Sequence, residues 1–218
     1  MDDETWTYPG GAKPDGLPPM PPVSQKTMLL AGLVADVYGL DEAAAQPGVR
    51  AVSCLWLIHG RGGRRTNMAD FGSRAVAAWA ERQRQGDGGG GGPAAGRGLV
   101  AVALDQRNHG SRLVDAARNQ SWRAGNPSHG VDMFASIVGM VGDVRALMGV
   151  VGAYLFPGAR GPVVDDHLVL GHSLGGHCAW QLAVLEERAR AVVVTVGCAD
   201  YMCKSPHPHL LIVSHRWH

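Results

Sequence analysis

Short apolar runs alternate with longer stretches of helical periodicity through most of the chain. Ala51–Ile58 (AVSCLWLI), Leu99–Leu104 (LVAVAL), His167–Gly171 (HLVLG) and Ala191–Gly197 (AVVVTVG) are continuous apolar runs of strand length. Such runs predict strands buried on both faces. Between them, Asn67–Arg84 spaces Met68, Phe71, Val76 and Trp79 at roughly helical intervals. Val131–Phe156 predicts a long helix despite Gly139, Gly142, Gly149 and Gly152, and Leu174–Arg188 predicts another. Met28–Leu40 reads as an early strand or hairpin arm. The alternation predicts an α/β fold, a doubly wound, mostly parallel sheet covered on both faces. Ligands in such sheets bind beyond the carboxyl ends of the strands, so functional residues are expected immediately after each strand.

The flanks differ from this pattern. Residues 1–26 carry Pro9, Pro14, Pro18, Pro19, Pro21 and Pro22, which predicts a flexible tail. The glycine-rich run from Gly86 to Pro93 predicts an expanded surface loop. The regular part, residues 27–203, is read as one core, and 204–218 as an atypical tail. A chain of 218 residues with 45% hydrophobic residues and a net charge of +1 fits one globular domain. That balance points neither to disorder nor to a nucleic-acid-binding surface. Arg61, Arg64 and Arg65 form only a short basic patch. No apolar run is long enough to span a bilayer, and the acidic N-terminus lacks the features of a signal peptide, so a cytoplasmic protein is expected. Of the four cysteines, Cys54 and Cys198 sit in apolar runs and read as small buried thiols. No His/Asp/Glu set has metal-ligand spacing and no G-x-G-x-x-G opens a helix after the first strand, so neither metal nor nucleotide cofactor is expected.

Chemistry concentrates at the strand ends. Gly171-His172-Ser173-Leu174-Gly175-Gly176 matches G-x-S-x-G where a strand gives way to a helix. A sharp turn there strains Ser173 and lifts its hydroxyl above the sheet, while small residues at 171 and 175 keep Cβ atoms away. The following helix directs free N–H groups at the same spot, and the Leu174 N–H becomes an oxyanion donor. His59-Gly60-Arg61-Gly62-Gly63 follows the first buried strand, and its Arg61 N–H is the second expected donor. His59, Gly60 and His172 are expected to contact substrate, with His172 also readable as a hydrogen-bonded support. Asp105, Arg107 and His109 read as a loop stapled by an Asp–Arg pair, with substrate contact as the other reading. His177 is expected to be structural, and Trp122, Trp180, Met133 and Phe134 to be core or pocket wall. The Arg118–His129 stretch reads either as a border of the site mouth or as a plain surface loop.

His59-Gly60, the D-Q-R-N-H-G stretch at 105–110 and G-H-S-L-G-G at 171–176, in this order, resemble the α/β-hydrolase superfamily. The Asp-x-Arg-x-His-Gly stretch looks like the dienelactone-hydrolase-like and YitV-type esterases, over roughly residues 28–200. The resemblance implies a serine hydrolase acting on a small-molecule acyl or ester substrate through an acyl-enzyme on Ser173. It also implies a triad in chain order Ser, acid, His. After Ser173 the acids are Glu186, Glu187 and Asp200. Asp200 follows the fourth buried strand, where some family members place the acid. His207, His209, His215 and His218 stand in no recognisable context, so the histidine base is unassigned. Eleven residues with two prolines from Ala199 to His209 are too few for a parallel crossover, so Leu210–Val213 is expected at best antiparallel along the sheet edge. The tail therefore reads as an unrelated ending that replaces the family's last strands and leaves the fourth strand an exposed edge. The alternative function is a non-catalytic relative that binds an acyl ligand or a protein partner.

Overall fold

The computed structural model describes residues 18–46, 48–85, 96–158 and 161–199, and the backbone of 210–214. Its sheet has seven strands: β1 (Gln25–Leu30), β2 (Leu33–Tyr38), β3 (Ala51–Ile58), β4 (Arg97–Leu104), β5 (Val163–His172), β6 (Ala189–Thr195) and β7 (Leu210–Ser214). Their spatial order is β1-β2-β4-β3-β5-β6-β7. The four predicted apolar runs become β4, β3, β5 and β6, the parallel centre of the sheet. β1 and β2 form an antiparallel hairpin on one side, closed by Ala31 and Gly32, both at positive φ as a two-residue hairpin turn requires. Met28–Leu40 therefore holds parts of two strands rather than one.

On the other side β7 pairs antiparallel with β6, Thr195 opposite Leu210 and Ala191 opposite Ser214. The antiparallel placement expected for Leu210–Val213 is observed. The exposed edge expected at β6 is not, because β7 occupies its hydrogen-bonding side. Thr195 and Leu210 pair, so the chain leaves β6 and enters β7 at the same, carboxyl, end of the sheet.

Helices cover both faces. α1 (Leu40–Ala45), α3 (His129–Met148), α4 (Val151–Leu155) and α5 (Leu174–Leu185) close the larger core, built on Val52, Trp56, Val100, Ile137, Met140 and Leu182. α2 (Ala69–Arg84) covers the opposite face through Val76, Phe71 and Trp79 against Leu57, Leu99 and Ala101. The single helix predicted over Val131–Phe156 is two, because Gly149 ends α3 and Val150 leaves helical geometry at φ −131°. Gly139 inside α3 has a packing reason: a Cβ there would collide with the Arg107 side chain, which lies across the helix. Among the described residues no helix is long and apolar enough to cross a membrane.

A buried ion cluster ties the hairpin to the parallel centre. Arg65 lies 2.6 Å from Asp105 at the end of β4 and 3.1 Å from Asp36 on β2, and both carboxylates are almost fully buried. Burial alone would raise the Asp105 pKa, but hydrogen bonds from the Arg65 and Ser111 N–H groups and side chains hold it below the usual value. Removing the shared cation strands two buried charges. Arg65→Met is expected to destabilise the fold by about 3–5 kcal/mol, measured as the loss of urea unfolding free energy against the wild type.

Candidate active site

One residue makes the turn between β5 and α5. Ser173 has φ 53° and ψ −115°, the only break between a strand ending at His172 and a helix starting at Leu174. A side-chain-bearing residue in this region costs on the order of 1–3 kcal/mol and persists only when its surroundings fix it. They do so on every side. The Ser173 N–H donates to the Thr195 carbonyl at 2.8 Å, and the Ser173 carbonyl accepts from the Gly176 N–H at 2.8 Å and the His177 N–H at 3.2 Å. A Cβ at Gly171 would collide with the Gly175 carbonyl, and one at Gly175 with the carbonyls of Ile58 and His59. The first turn of α5 thus rests backbone to backbone on the end of β3. Leu174 and Gly175 supply the first N–H groups of that helix, which have no acceptor within it and stand at its positive end.

The turn after β3 lies against the same serine. An atom at the Cβ position of Gly60 would sit 3.2 Å from Ser173 Cβ and 3.3 Å from His172 Cδ2. The Gly63 N–H closes the turn onto the Gly60 carbonyl at 3.1 Å, with Gly62 at φ 75°. The Arg61 side chain leaves the site, its Nη1 donating to the Asn119 carbonyl at 2.9 Å. A narrow recess of about 10 Å³, room for about one water, lies beside this turn, lined by Gly60, Gly63, Phe71 and His172 among others.

The turn after β4 supports the other two. The expected Asp–Arg staple exists, with different partners: Asp105 pairs with Arg65, while Arg107 and Arg112 share Asp143 at 3.2 and 2.8 Å. His109 is buried, its Nδ1–H donating to the Arg107 carbonyl at 2.9 Å and its ring edge-on to His59. Gln106, which the sequence reading passed over, is fully buried and engages His59 twice. Its N–H donates to His59 Nε2 at 3.0 Å, and its side-chain amide donates to the His59 carbonyl. The only signal for it is register: Ile58 pairs with Leu104, which sets Gln106 beside Gly60.

The predicted site residues fall into place unevenly. Ser173, Leu174, Gly60, Arg61 and His172 come together at the carboxyl ends of β3 and β5. His59, expected to contact substrate, instead turns its ring inward. It is 1% exposed, and both nitrogens bind protein, Nε2 to Gln106 and Nδ1 to the Gly60 carbonyl at 2.7 Å. Burial pushes its pKa down to about 4, against the raising effect of the Gly60 hydrogen bond. His172 Nδ1 lies 2.9 Å from Thr195 Oγ1, and the His177 Nδ1–H donates to the Cys198 carbonyl at 2.9 Å. Trp122 and Phe134 are exposed, not core: Trp122 stacks edge-on against His129, 4.6 Å between ring centres. Met133 is core and Trp180 packs against it half-buried. The Arg118–His129 stretch is tied to the turn after β3 by the Arg61–Asn119 bond. Asp200 and the histidines at 207, 209, 215 and 218 lie outside the described residues.

No family model matches the chain, and no curated protein does. Solved structures do. The chain is similar to TT1662 from Thermus thermophilus at 19% identity and TM-score 0.50, over 78% of this chain and 54% of that one. It is also similar to a cold-adapted esterase from an Arctic intertidal metagenomic library (13%, TM-score 0.44, 76% and 56%). A third likeness is to the epoxide hydrolase VrEH1 from Vigna radiata (16%, TM-score 0.39, 77% and 38%). The chain spans about half or less of the length of these structures. At this identity the likeness to TT1662 shows a shared fold alone, a mixed, mostly parallel sheet with helices on both faces.

Two measurements check this site. Gly175→Ala is expected to lower stability by about 3 kcal/mol or more in urea titrations, because neither carbonyl beneath it belongs to a flexible side chain. Acid should weaken the fold before the carboxylates titrate. Burial depresses the pKa of His59, His109, His167, His172 and His177 below the ordinary 6.5. The unfolded chain therefore binds more protons than the native one in this range, and stability falls as pH falls. The melting temperature is expected to decline continuously from pH 6.5 towards 4, the value to which His59 is pushed.

Proposed function

We propose that this chain is a serine hydrolase of the carboxylic-ester type, with Ser173 as nucleophile. The observation that carries the reading is a single serine at φ 53° between a buried strand and a helix, flanked by two backbone turns. That strain has a chemical use: it presents the hydroxyl above the sheet with the Leu174 N–H beside it. In the first step Ser173 Oγ bonds to the acyl carbon, and the carbonyl π pair moves onto the oxygen. The N–H groups of Leu174 and Arg61 receive the resulting oxyanion. The hydroxyl proton passes to a histidine base and from it to the departing alkoxide, leaving an acyl-enzyme that water hydrolyses. We assign Asp200, five residues after Thr195 in the sequence, as the acid that orients the base. The base itself is not assigned.

The substrate class is a small-molecule acyl or ester compound. A fluorophosphonate probe is expected to label Ser173 in the folded chain, with Ser173→Ala abolishing the label. p-Nitrophenyl esters of short and long acyl chains are expected to turn over only with Ser173 present. Folded wild-type protein that takes no label would overturn the proposal.

A further inference from the structure

Both ring nitrogens of His59 meet backbone groups of the turns, and the chemistry fixes their roles. A backbone N–H only donates, so His59 Nε2, 3.0 Å from the Gln106 nitrogen, carries no proton. The neutral ring then bears its proton on Nδ1 and donates it to the Gly60 carbonyl at 2.7 Å. The same carbonyl accepts the Gly63 N–H from another direction at 3.1 Å. Gln106 also holds the His59 carbonyl through its side-chain amide, so the ring and the chain that bears it are both anchored to β4.

The carbonyl so gripped belongs to the peptide joining Gly60 to Arg61. Peptide bonds are planar, and the described chain has no cis peptide, so C=O and N–H of one unit point in opposite directions. Two donors pulling the oxygen inward therefore aim the Arg61 N–H outward. Gly60 is the residue whose missing Cβ lets this peptide stand against Ser173. We infer that His59 is a positioning residue, orienting the Arg61 N–H through the Gly60 carbonyl under the control of Gln106. The inference rests on the reading of Ser173 as nucleophile and gives the buried ring a purpose that substrate contact does not.

Three variants of the full chain separate this role from simple packing. In His59→Asn the side-chain amide can occupy the Nδ1 position and keep the grip on Gly60. In His59→Gln the longer side chain reaches towards Gln106 and gives that grip up. Gly63→Ala leaves His59 intact but places a methyl 3.1 Å from both the Gly60 oxygen and His59 Nδ1, prising the contact apart. The readout is fluorophosphonate inactivation, resolved into its maximal rate and its half-saturating concentration, alongside thermal melting. His59→Gln and Gly63→Ala are expected to lower the maximal rate about tenfold to a hundredfold, with half-saturation unchanged. His59→Asn should stay within a few fold of wild type. Nitrogen-15 NMR of the His59 ring at neutral pH should show a protonated Nδ1 and a bare Nε2, a readout independent of reactivity. Equal rates for the Asn and Gln variants at equal folded fraction, or a protonated Nε2, would overturn the role given to His59. Wild type that takes no label while the ring shows the expected tautomer instead removes Ser173 as nucleophile, and with it the oxyanion purpose of the grip.

Discussion

The backbone contact between Gly175 and the end of β3 is the constraint on which the site depends. With carbonyls of Ile58 and His59 directly beneath Gly175, α5 starts as low on the sheet as a helix can. A single residue joins β5 to α5, and Ser173 makes that turn at φ 53° and ψ −115°. Gly171 and Gly175 are two sides of one approach, since the absent Cβ of the first faces the carbonyl of the second. The strain at Ser173 is thus a property of three elements packed at once. It does not arise from the serine alone.

Around that contact the three strand-end turns behave as one unit. The β3 turn is locked to the β4 turn by His59 and Gln106, the β4 turn to the hairpin by Asp105, Arg65 and Asp36, and the β5 turn to β6 by the Ser173 and His172 bonds to Thr195. These bonds are buried or partly buried, where an unmade partner costs more than the bond itself returns. Cys178 adds a weak link, its thiol lying 3.8 Å from the Gln106 side-chain oxygen and 3.5 Å from the Leu174 carbonyl. A disturbance at the tip of β4 is therefore felt at the start of α5.

The parallel centre of the sheet was readable because its strands are buried on both faces and so appear as unbroken apolar runs. The turn at Ser173 was readable because the chemistry demands small residues at fixed offsets. What escaped was whatever depends on register between strands distant in sequence. Gln106 carries no motif of its own and gains its role only by standing beside Gly60. Arg65 pairs with Asp36 and Asp105 across three elements, a partnership that Arg107, nearer in sequence, suggested falsely. Trp122 and Phe134 read as core or pocket wall by residue type, yet lie at the surface because the segment before α3 and the outer face of α3 turn them to solvent. The β1–β2 hairpin merged into one run because its two-residue turn, Ala31-Gly32, carries only half of the usual glycine signature.

The antiparallel meeting of β6 and β7 has a consequence for how this architecture tolerates change. Thr195 and Leu210 are ladder partners, so the two ends of the intervening connection are held one strand spacing apart whatever its length. Closing such a loop costs only about 0.6 kcal/mol more for each doubling of its length. Insertion or deletion after Ala199 is therefore expected to leave the β6–β7 register in place. Because the sequence of this connection includes Asp200, a change of its length bears on the proposed acid while the sheet keeps its pairing.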